Sequence, residues 1–193
     1  MSSALSFRQI LGAPSTSATT RDSALIIIDV QNEYAVGKLK VSDVEVSRKA
    51  IAALLQRYRD DSGEIIHIVH DTPNGAPVFT PGTELAEEFP EVRPKSGEKV
   101  IHKLHPSSFA GTDLQKHLEA TGFKKIVLVG YMAHVCISTT SRDGARLGFD
   151  VVVAEDCVGD RDIPGVTAAQ LTKVALCEIA DAFGTVVQSK DIN

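Results

Sequence analysis

Residues 24–29 read ALIIID, an uninterrupted apolar run that ends in a carboxylate. Branched isoleucines fill its second half. A continuous apolar run of this length is typical of a strand that is buried on both faces, as in parallel sheets. Similar runs recur along the chain, the one at 99–102 being weaker: residues 65–69, 99–102, 125–129, 150–153 and 184–187.

Helical patterns separate these runs. Apolar residues at helical spacing predict four helices, near residues 44–61, 112–122, 134–147 and 166–183. Thr112 and Gln115 have the spacing of a capping box, and Gly122 and Gly148 are typical of helix ends. Strands that alternate with helices predict a single α/β domain. We expect a mostly parallel central sheet of about six strands, flanked by helices in a Rossmann-like three-layer arrangement.

The composition excludes several classes of protein. The chain has 20 Lys and Arg residues against 25 Asp and Glu, a net charge of −5, whereas nucleic-acid binders are usually basic. Three cysteines among 193 residues do not form a disulfide framework. No apolar run approaches the roughly 20 residues that span a bilayer, and residues 1–14 lack a signal-peptide pattern. We expect a cytoplasmic domain at 23–193 behind a flexible lead-in at 1–22, with no nucleic-acid or membrane partner.

Three polar residues follow predicted strands, at the ends where α/β proteins bind ligands. Asp29 ends the first run, Lys103 follows the weak run at 99–102, and Cys136 comes shortly after the run at 125–129, where a helix should begin. A helix N-terminus lowers the pKa of a thiol, a carboxylate accepts its proton, and an ammonium holds developing negative charge. Position alone is also compatible with structural roles for these residues. Cys136 could be a small packed residue, Asp29 could only end its strand, and Lys103 could be a solvated charge.

Five segments carry a set of motifs in a fixed order. They are ALIIIDVQNEY at 24–34, FTPGTELAEEF at 79–89, VIHKLHPSSFAGTDLQKHL at 100–118, VGYMAHVCISTTSRDGARLGF at 129–149 and VVVAEDCVGDRDIPG at 151–165. The combination of Asp-Val-Gln-Asn, Lys-x4-Ser-Phe and Gly-x5-Cys resembles the isochorismatase-like cysteine hydrolase superfamily. That superfamily includes nicotinamidases, other small-amide hydrolases and the isochorismatases proper. The resemblance implies the family's hydrolase fold and a hydrolase activity.

The resemblance also implies a role for individual residues. Asp29 matches the family's acid/base, Lys103 its catalytic lysine and Cys136 its nucleophile. Family members have a cis peptide at the position of Tyr131–Met132. By that likeness, the backbone N–H groups of Met132 and Cys136 form an oxyanion hole.

Some positions depart from the pattern of relatives. Nicotinamidases of this superfamily bind a metal through an Asp-x-His pair, but residues 67–79 read HIVHDTPNGAPVF and Asp71 has no His two residues on. We therefore expect no metal and no other cofactor, and nicotinamide becomes a less favoured substrate. Ala133 stands where many relatives have Thr, and SRDG at 141–144 replaces an Ala-rich stretch. No catalytic group is lost, but the substrate of a close relative does not transfer.

Several further residues are candidates for a substrate pocket. They are Tyr34, His70, His105, Phe109, Tyr131 and His134. His67 lies three residues before His70, on the opposite face of the strand, and is expected to be a hydrogen-bonded core residue. Core packing of the aromatic residues and helix capping by His134 stay open as alternatives.

The resemblance favours hydrolysis of a C–N bond in a small amide through a Cys136 thioester, with Asp29 as acid/base and Lys103 as electrostatic support. The alternative is isochorismate hydrolysis, a vinyl-ether cleavage led by Asp29, in a branch that commonly lacks the cysteine. A flavodoxin-like or Rossmann-type binding module is a third interpretation, but the turn at 29–34 has no Gly to cradle a phosphate. Relatives are usually dimers or higher assemblies, so we expect a homo-oligomer, a dimer or tetramer, acting on a small molecule.

Overall fold

The computed structural model describes residues 4–193 and has one sheet at its centre. Its six strands are β1 Ala24–Ile28, β2 Glu64–His70, β3 Lys99–Lys103, β4 Lys125–Gly130, β5 Asp150–Val158 and β6 Thr185–Val187. They lie in the order β3-β2-β1-β4-β5-β6, and every neighbouring pair is parallel. The predicted α/β class and parallel sheet are confirmed, and the weak run at 99–102 forms an edge strand.

The order of the strands creates a crevice next to β1. The chain leaves β1 towards β2 and β3 on one side, and then crosses to β4 on the other side. Connections from β1 and β4 therefore diverge to opposite sides of the sheet at their carboxyl ends. Such a switch point is where open α/β sheets bind ligands, and both Asp29 and Cys136 follow the two strands that border it.

Helices cover both faces of the sheet. They are α1 Phe7–Ile10, α2 Glu33–Val36, α3 Val44–Asp60, α4 Leu114–Thr121, α5 Ser138–Arg146 and α6 Ala168–Ala182. Successive residues of β1 alternate between two cores. Leu25 and Ile27 pack with α3, whose apolar stripe from Ile51 to Tyr58 is fully buried as predicted. Ala24, Ile26 and Ile28 pack with α4, α5 and α6 on the other face.

Two helix starts differ from the sequence prediction. The capping box at Thr112 does not form, because α4 begins at Leu114 and its N-cap, Asp113, makes no side-chain cap bond. The Thr112 hydroxyl instead donates to the carbonyl oxygen of Ser108, 2.6 Å away, and so joins the preceding loop. The predicted helix at 134–147 has two parts, a π-helical turn at Ala133–Ile137 followed by α5. A π-helical turn inserts an extra residue per turn and is frequent at functional sites.

The segments outside the sheet are tied to it by hydrogen bonds. Within the predicted lead-in, of which residues 4–22 are described, the Phe7 N–H donates to Asp181 at 2.8 Å. The irregular segment at 72–94 contains one short 3₁₀ turn, Glu84–Ala86. Gln31 reaches across from the end of β1 and donates to the carbonyl oxygen of Ala86. In the described part of the chain, no helix has the length and apolar character that crossing a bilayer requires.

Candidate active site

Asp29, Lys103 and Cys136 meet in one buried cluster at the crevice. Asp29 follows β1, Lys103 ends β3, and Cys136 lies in the π-helical turn after β4. None of the three is more than 4% exposed. The Lys103 Nζ donates to Asp29 Oδ2 at 2.8 Å and lies 3.4 Å from Cys136 Sγ. Residues 107 positions apart in the sequence thus share one ammonium, and the predicted triad is assembled.

The backbone around Asp29 and Gly130 shapes this cluster. Asp29 adopts a left-handed conformation with φ 53°, which turns the chain sharply at the end of β1. Gly130 has φ 114°, and a Cβ atom at this position would overlap the carbonyl oxygen of Ile28. Only glycine therefore lets β4 pass so close to β1. The Tyr131–Met132 peptide bond is cis, as the resemblance implied.

Burial sets the protonation state of the thiol. Burial, with the Asp29 carboxylate, raises the pKa of Cys136 well above its ordinary value, and Lys103 opposes this only in part. The expectation that a helix N-terminus lowers this pKa is therefore wrong, because the loss of hydration and the neighbouring carboxylate outweigh the helix end. The resting thiol is protonated and needs a base before it can act as a nucleophile.

Asp29 is placed to be that base. Its Oδ2 accepts a hydrogen bond from Lys103, whereas its Oδ1 is buried and has no hydrogen-bond partner among residues 4–193. A buried carboxylate oxygen without a hydrogen-bond partner costs folding free energy, and such groups in native proteins often have a catalytic role. Burial raises the pKa of Asp29, while the Lys103 ammonium acts to lower it. A carboxyl group with a raised pKa takes up a proton more readily than an ordinary carboxylate and can return it later in the reaction.

The Lys103 ammonium has two further partners. Its Nζ lies 3.1 Å from His70 Nδ1 and 3.1 Å from the carbonyl oxygen of His105. The loop that follows Lys103 is fixed to α5, because the Ser108 N–H donates to the Thr140 hydroxyl at 3.0 Å. The element that carries the ammonium therefore contacts the element that carries the thiol twice. The first contact joins Lys103 Nζ to Cys136 Sγ, and the second joins Ser108 to Thr140.

Two of the candidate pocket residues, Tyr34 and His70, pack against Phe79 next to the cluster. The rings of Tyr34 and His70 each lie 5.2 Å from the Phe79 ring. Phe79 comes from the irregular segment at 72–94, 50 residues after Asp29, and is the first residue of the motif segment FTPGTELAEEF. Its N–H donates to the buried Glu33 carboxylate, which fixes it over the cluster.

The other pocket candidates have partners of their own. Tyr131 is fully buried, its ring packs against Tyr34, and its hydroxyl bonds to Ser47 at 2.7 Å. The Phe109 ring stacks on Phe149 in the second core. Both rings are packed in the cores that flank the sheet, Tyr131 in the first and Phe109 in the second.

His134 is held at the start of the π-helical turn. Its Nδ1 lies 2.7 Å and its backbone N–H 3.0 Å from Asp160 Oδ2, and that carboxylate is almost fully buried. The cap of this turn is therefore Asp160, a residue from the loop after β5. The alternative that His134 itself caps the helix is not what the structure has.

Sequence reasoning missed the residues that hold this site in place. Gln31 is buried and bonds to both the N–H and the carbonyl oxygen of His70, so it fixes the end of β2. Its place in the Asp-Val-Gln-Asn motif was a signal that could have found it. Among residues 4–193, no group of three or more His, Cys, Asp and Glu side chains is arranged to hold a metal ion.

Comparisons with known proteins identify the family of this chain. A family model described as Isochorismatase domain matches residues 23–191. The chain is 65% identical over 188 residues to the secreted isochorismatase effector Isc1 of Verticillium dahliae, which covers 97% of this chain and 99% of that protein. It is 29% identical over 187 residues to maleamate amidohydrolase of Pseudomonas putida, covering 89% and 85%.

A solved structure shows the same fold. The crystal structure of an isochorismatase from Pseudomonas putida superposes with a TM-score of 0.95 at 30% identity, over 98% of this chain and 100% of that chain. The sequence motifs and the sheet order agree with these matches. The protein belongs to the isochorismatase family of hydrolases.

Proposed function

We propose that this protein hydrolyses a C–N bond of a small amide through a thioester on Cys136. The observation that carries the proposal is the unpaired Oδ1 of Asp29 beside a protonated, buried thiol. The free oxygen of Asp29 can accept the proton that the Cys136 thiol must lose before it acts as a nucleophile. The Lys103 ammonium next to both groups supplies the balancing positive charge.

The proposed reaction has two steps. Asp29 accepts the thiol proton, Cys136 Sγ attacks the amide carbonyl carbon, and the N–H groups of Met132 and Cys136 hold the oxyanion. The C–N bond then breaks as Asp29 returns the proton to the leaving nitrogen, which departs as ammonia or an amine. In the second step Asp29 takes a proton from water and the resulting hydroxide attacks the thioester carbon. The C–S bond then breaks, the acid is released, and Asp29 returns the proton to the Cys136 sulfur.

The test is a substitution series on a panel of small amides that includes maleamate. We expect Cys136→Ala to lose at least about a thousandfold in kcat, since a nucleophile is removed, and Asp29→Asn to lose a comparable factor. Cys177→Ala is the matched control, because Cys177 is an exposed free cysteine on α6. Mass spectrometry of quenched reactions should find an acyl adduct on Cys136. Amide turnover that persists in Cys136→Ala would contradict the proposal.

A second candidate is hydrolysis of the vinyl ether of isochorismate. It is favoured by the 65% identity to a protein named an isochorismatase effector. Burial raises the pKa of Asp29, and this favours the protonated form that such a reaction needs as its acid. The same variants separate the candidates. Isochorismate consumption that survives Cys136→Ala but not Asp29→Asn would assign the vinyl-ether reaction.

We further propose that the protein is a homo-oligomer, a dimer or tetramer, that has a small-molecule substrate and no nucleic-acid or membrane partner. Light scattering on the purified chain, at 20.7 kDa per subunit, measures the assembly. We propose a cytoplasmic location, whereas the Verticillium dahliae relative is named as a secreted protein. Immunoblots of culture filtrate against cell lysate decide between these locations.

A further inference from the structure

His70 has two ring nitrogens in different situations. Its Nδ1 lies 3.1 Å from Lys103 Nζ, an ammonium that can only donate, so Nδ1 is the acceptor. Burial and the Lys103 charge lower the pKa of His70 to about 4, so the ring is neutral near pH 7. A neutral ring that accepts at Nδ1 carries its proton on Nε2. This Nε2–H has no hydrogen-bond partner among residues 4–193, and the half-buried ring leaves it open to a ligand.

Tyr34 presents a second open donor. Its side chain is only 2% exposed, yet its hydroxyl takes part in no hydrogen bond within the described chain. Burial and the Asp29 carboxylate raise the pKa of Tyr34 well above its ordinary value, so the hydroxyl keeps its proton. The hydroxyl oxygen is not among the fully buried atoms that lack a partner, so it keeps some access to solvent and can meet a ligand. It belongs to the ring that packs on Phe79 beside the cluster.

Hydrogen bonds from two side chains hold His70 and the Phe79 ring that contacts both donors. Gln31 bonds to the N–H and the carbonyl oxygen of His70, and Glu33 holds the N–H of Phe79, the ring that lies 5.2 Å from each donor's ring. Lys103 links His70 to the sulfur, at 3.1 Å on one side and 3.4 Å on the other. His70 thus lies close to the atom that we propose to attack the substrate, and the Phe79 ring, which contacts both His70 and Tyr34, links Tyr34 to the same place.

We propose that His70 and Tyr34 are the specificity-determining residues, which donate from Nε2 and from the hydroxyl to an accepting oxygen that the substrate carries beyond its scissile bond. This inference rests on the proposed function for the position of the scissile bond. The substrate class is a small amide with a carboxylate or a second carbonyl group near the amide. Both groups offer the same chemistry, an oxygen that accepts hydrogen bonds.

Three amides with one carbon skeleton test this inference. Maleamate carries a carboxylate, maleamide a second amide, and cis-but-2-enamide a methyl group at the same place. We expect kcat/KM for cis-but-2-enamide to be lower than for an accepting amide by at least about tenfold, because the open donors then stay unpaired. A preference for maleamate over maleamide identifies the carboxylate as the accepting group, and the reverse identifies the carbonyl. Equal rates on all three amides would overturn the proposal.

Substitutions assign the preference to the two donors. Tyr34→Phe removes one hydroxyl, and His70→Asn keeps an acceptor for Lys103 but lacks the Nε2–H. We expect each to reduce the preference for the accepting amide by about tenfold, mainly through KM. His102→Asn is the matched control, since this exposed histidine on β3 pairs with Asp71, and it should keep the native preference. An unchanged preference in both Tyr34→Phe and His70→Asn would overturn the proposal.

A binding measurement separates this inference from the proposed reaction. Maleate is titrated into ¹⁵N-histidine-labelled protein, native and Cys136→Ala, and the His70 signals are identified by their loss in His70→Asn. We expect the Nε2–H tautomer in the free protein, a shift of its signals with maleate, and at least about tenfold weaker binding in Tyr34→Phe. A proton on Nδ1, or no response to maleate, would overturn the inference even if amides are hydrolysed. A response to maleate without any amide turnover would contradict only the proposed reaction.

Discussion

Asp29 and Lys103 form an ion pair whose side chains are fully shielded from water. Removing two charges from water costs several kcal/mol per ion, and their attraction roughly offsets that cost. The pair therefore adds little net stability, and its value lies in the protonation states that it imposes on its neighbours. Burial raises the pKa of both Asp29 and Cys136, and the single ammonium opposes both changes.

The opposing effects of burial and of the Lys103 charge on the pKa of Asp29 determine where activity falls at low pH, which is the acid limb of the pH profile. The proposed base must be ionised, so kcat/KM falls as the pH drops through the raised pKa of Asp29. We expect the midpoint above 3.8, the ordinary value for this group. Lys103→Met removes the charge that lowers this pKa, so its limb should move to higher pH, with a loss of at least about a hundredfold in rate.

The measurement is kcat/KM between about pH 4 and 9 on the best amide of the panel. Lys99→Met serves as the control, because Lys99 lies on the same strand but pairs with Asp113 outside the cluster. Its limb should match that of the native protein. A limb that stays in place or moves to lower pH in Lys103→Met would show that the ammonium does not tune the base.

At the scale of elements, the junction after β4 determines where the thiol lies. Gly130 brings the strand end against β1, and the π-helical turn then places Cys136 over the Lys103 ammonium. Asp160 caps this turn from a loop that follows β5. The sequence pattern predicted a helix at 134–147 because helical periodicity is local. It missed the π-helical start and the cap because both depend on a residue that is distant in sequence.

Gly130→Ala tests this junction. The new Cβ would overlap a backbone oxygen of the neighbouring strand, which cannot move without breaking the β1–β4 pairing, so we expect a loss of more than about 3 kcal/mol in the free energy of unfolding. Gly148→Ala is the matched control, since Gly148 also has a positive φ but open space around it. That change should cost only about 1 kcal/mol. Equal losses in urea denaturation would show that conformational strain, and not close approach, accounts for the glycine.

At the scale of the whole molecule, a network of buried ion pairs and hydrogen bonds joins β2, α3 and the segment between β2 and β3. His67 Nδ1 lies 2.9 Å from Glu88 and Nε2 lies 3.1 Å from Glu98, both in the segment between β2 and β3. Arg59 of α3 binds the same Glu98. Although burial opposes it, the hydrogen bond from Arg59 lowers the pKa of Glu98 to about 2. The network fastens this long segment, and so the ring of Phe79, to the sheet.

His67→Leu should destabilise the whole fold. It leaves Glu88, a buried carboxylate, without the His67 side chain that it contacts and takes one partner from Glu98, so we expect a loss of about 3 kcal/mol in the free energy of unfolding. His102→Leu breaks an exposed pair on the next strand and should cost less than about 1 kcal/mol. Urea denaturation at pH 7 measures both variants. A small loss in His67→Leu would mean that the segment is held by its backbone contacts alone.

The α/β class, all six strand positions and the candidate residues Asp29, Lys103 and Cys136 could be predicted from the sequence. Apolar runs, their periodicity and the spacing of motifs are local properties, so they can be recognised in the sequence without a structure. Protonation of the thiol, the free oxygen of Asp29 and the open donors of His70 and Tyr34 emerged only from the folded chain. They depend on which groups are removed from water and which distant side chains become neighbours. The Phe79 ring is the plainest case, because it reaches the site through tertiary contacts from a segment with no periodic pattern.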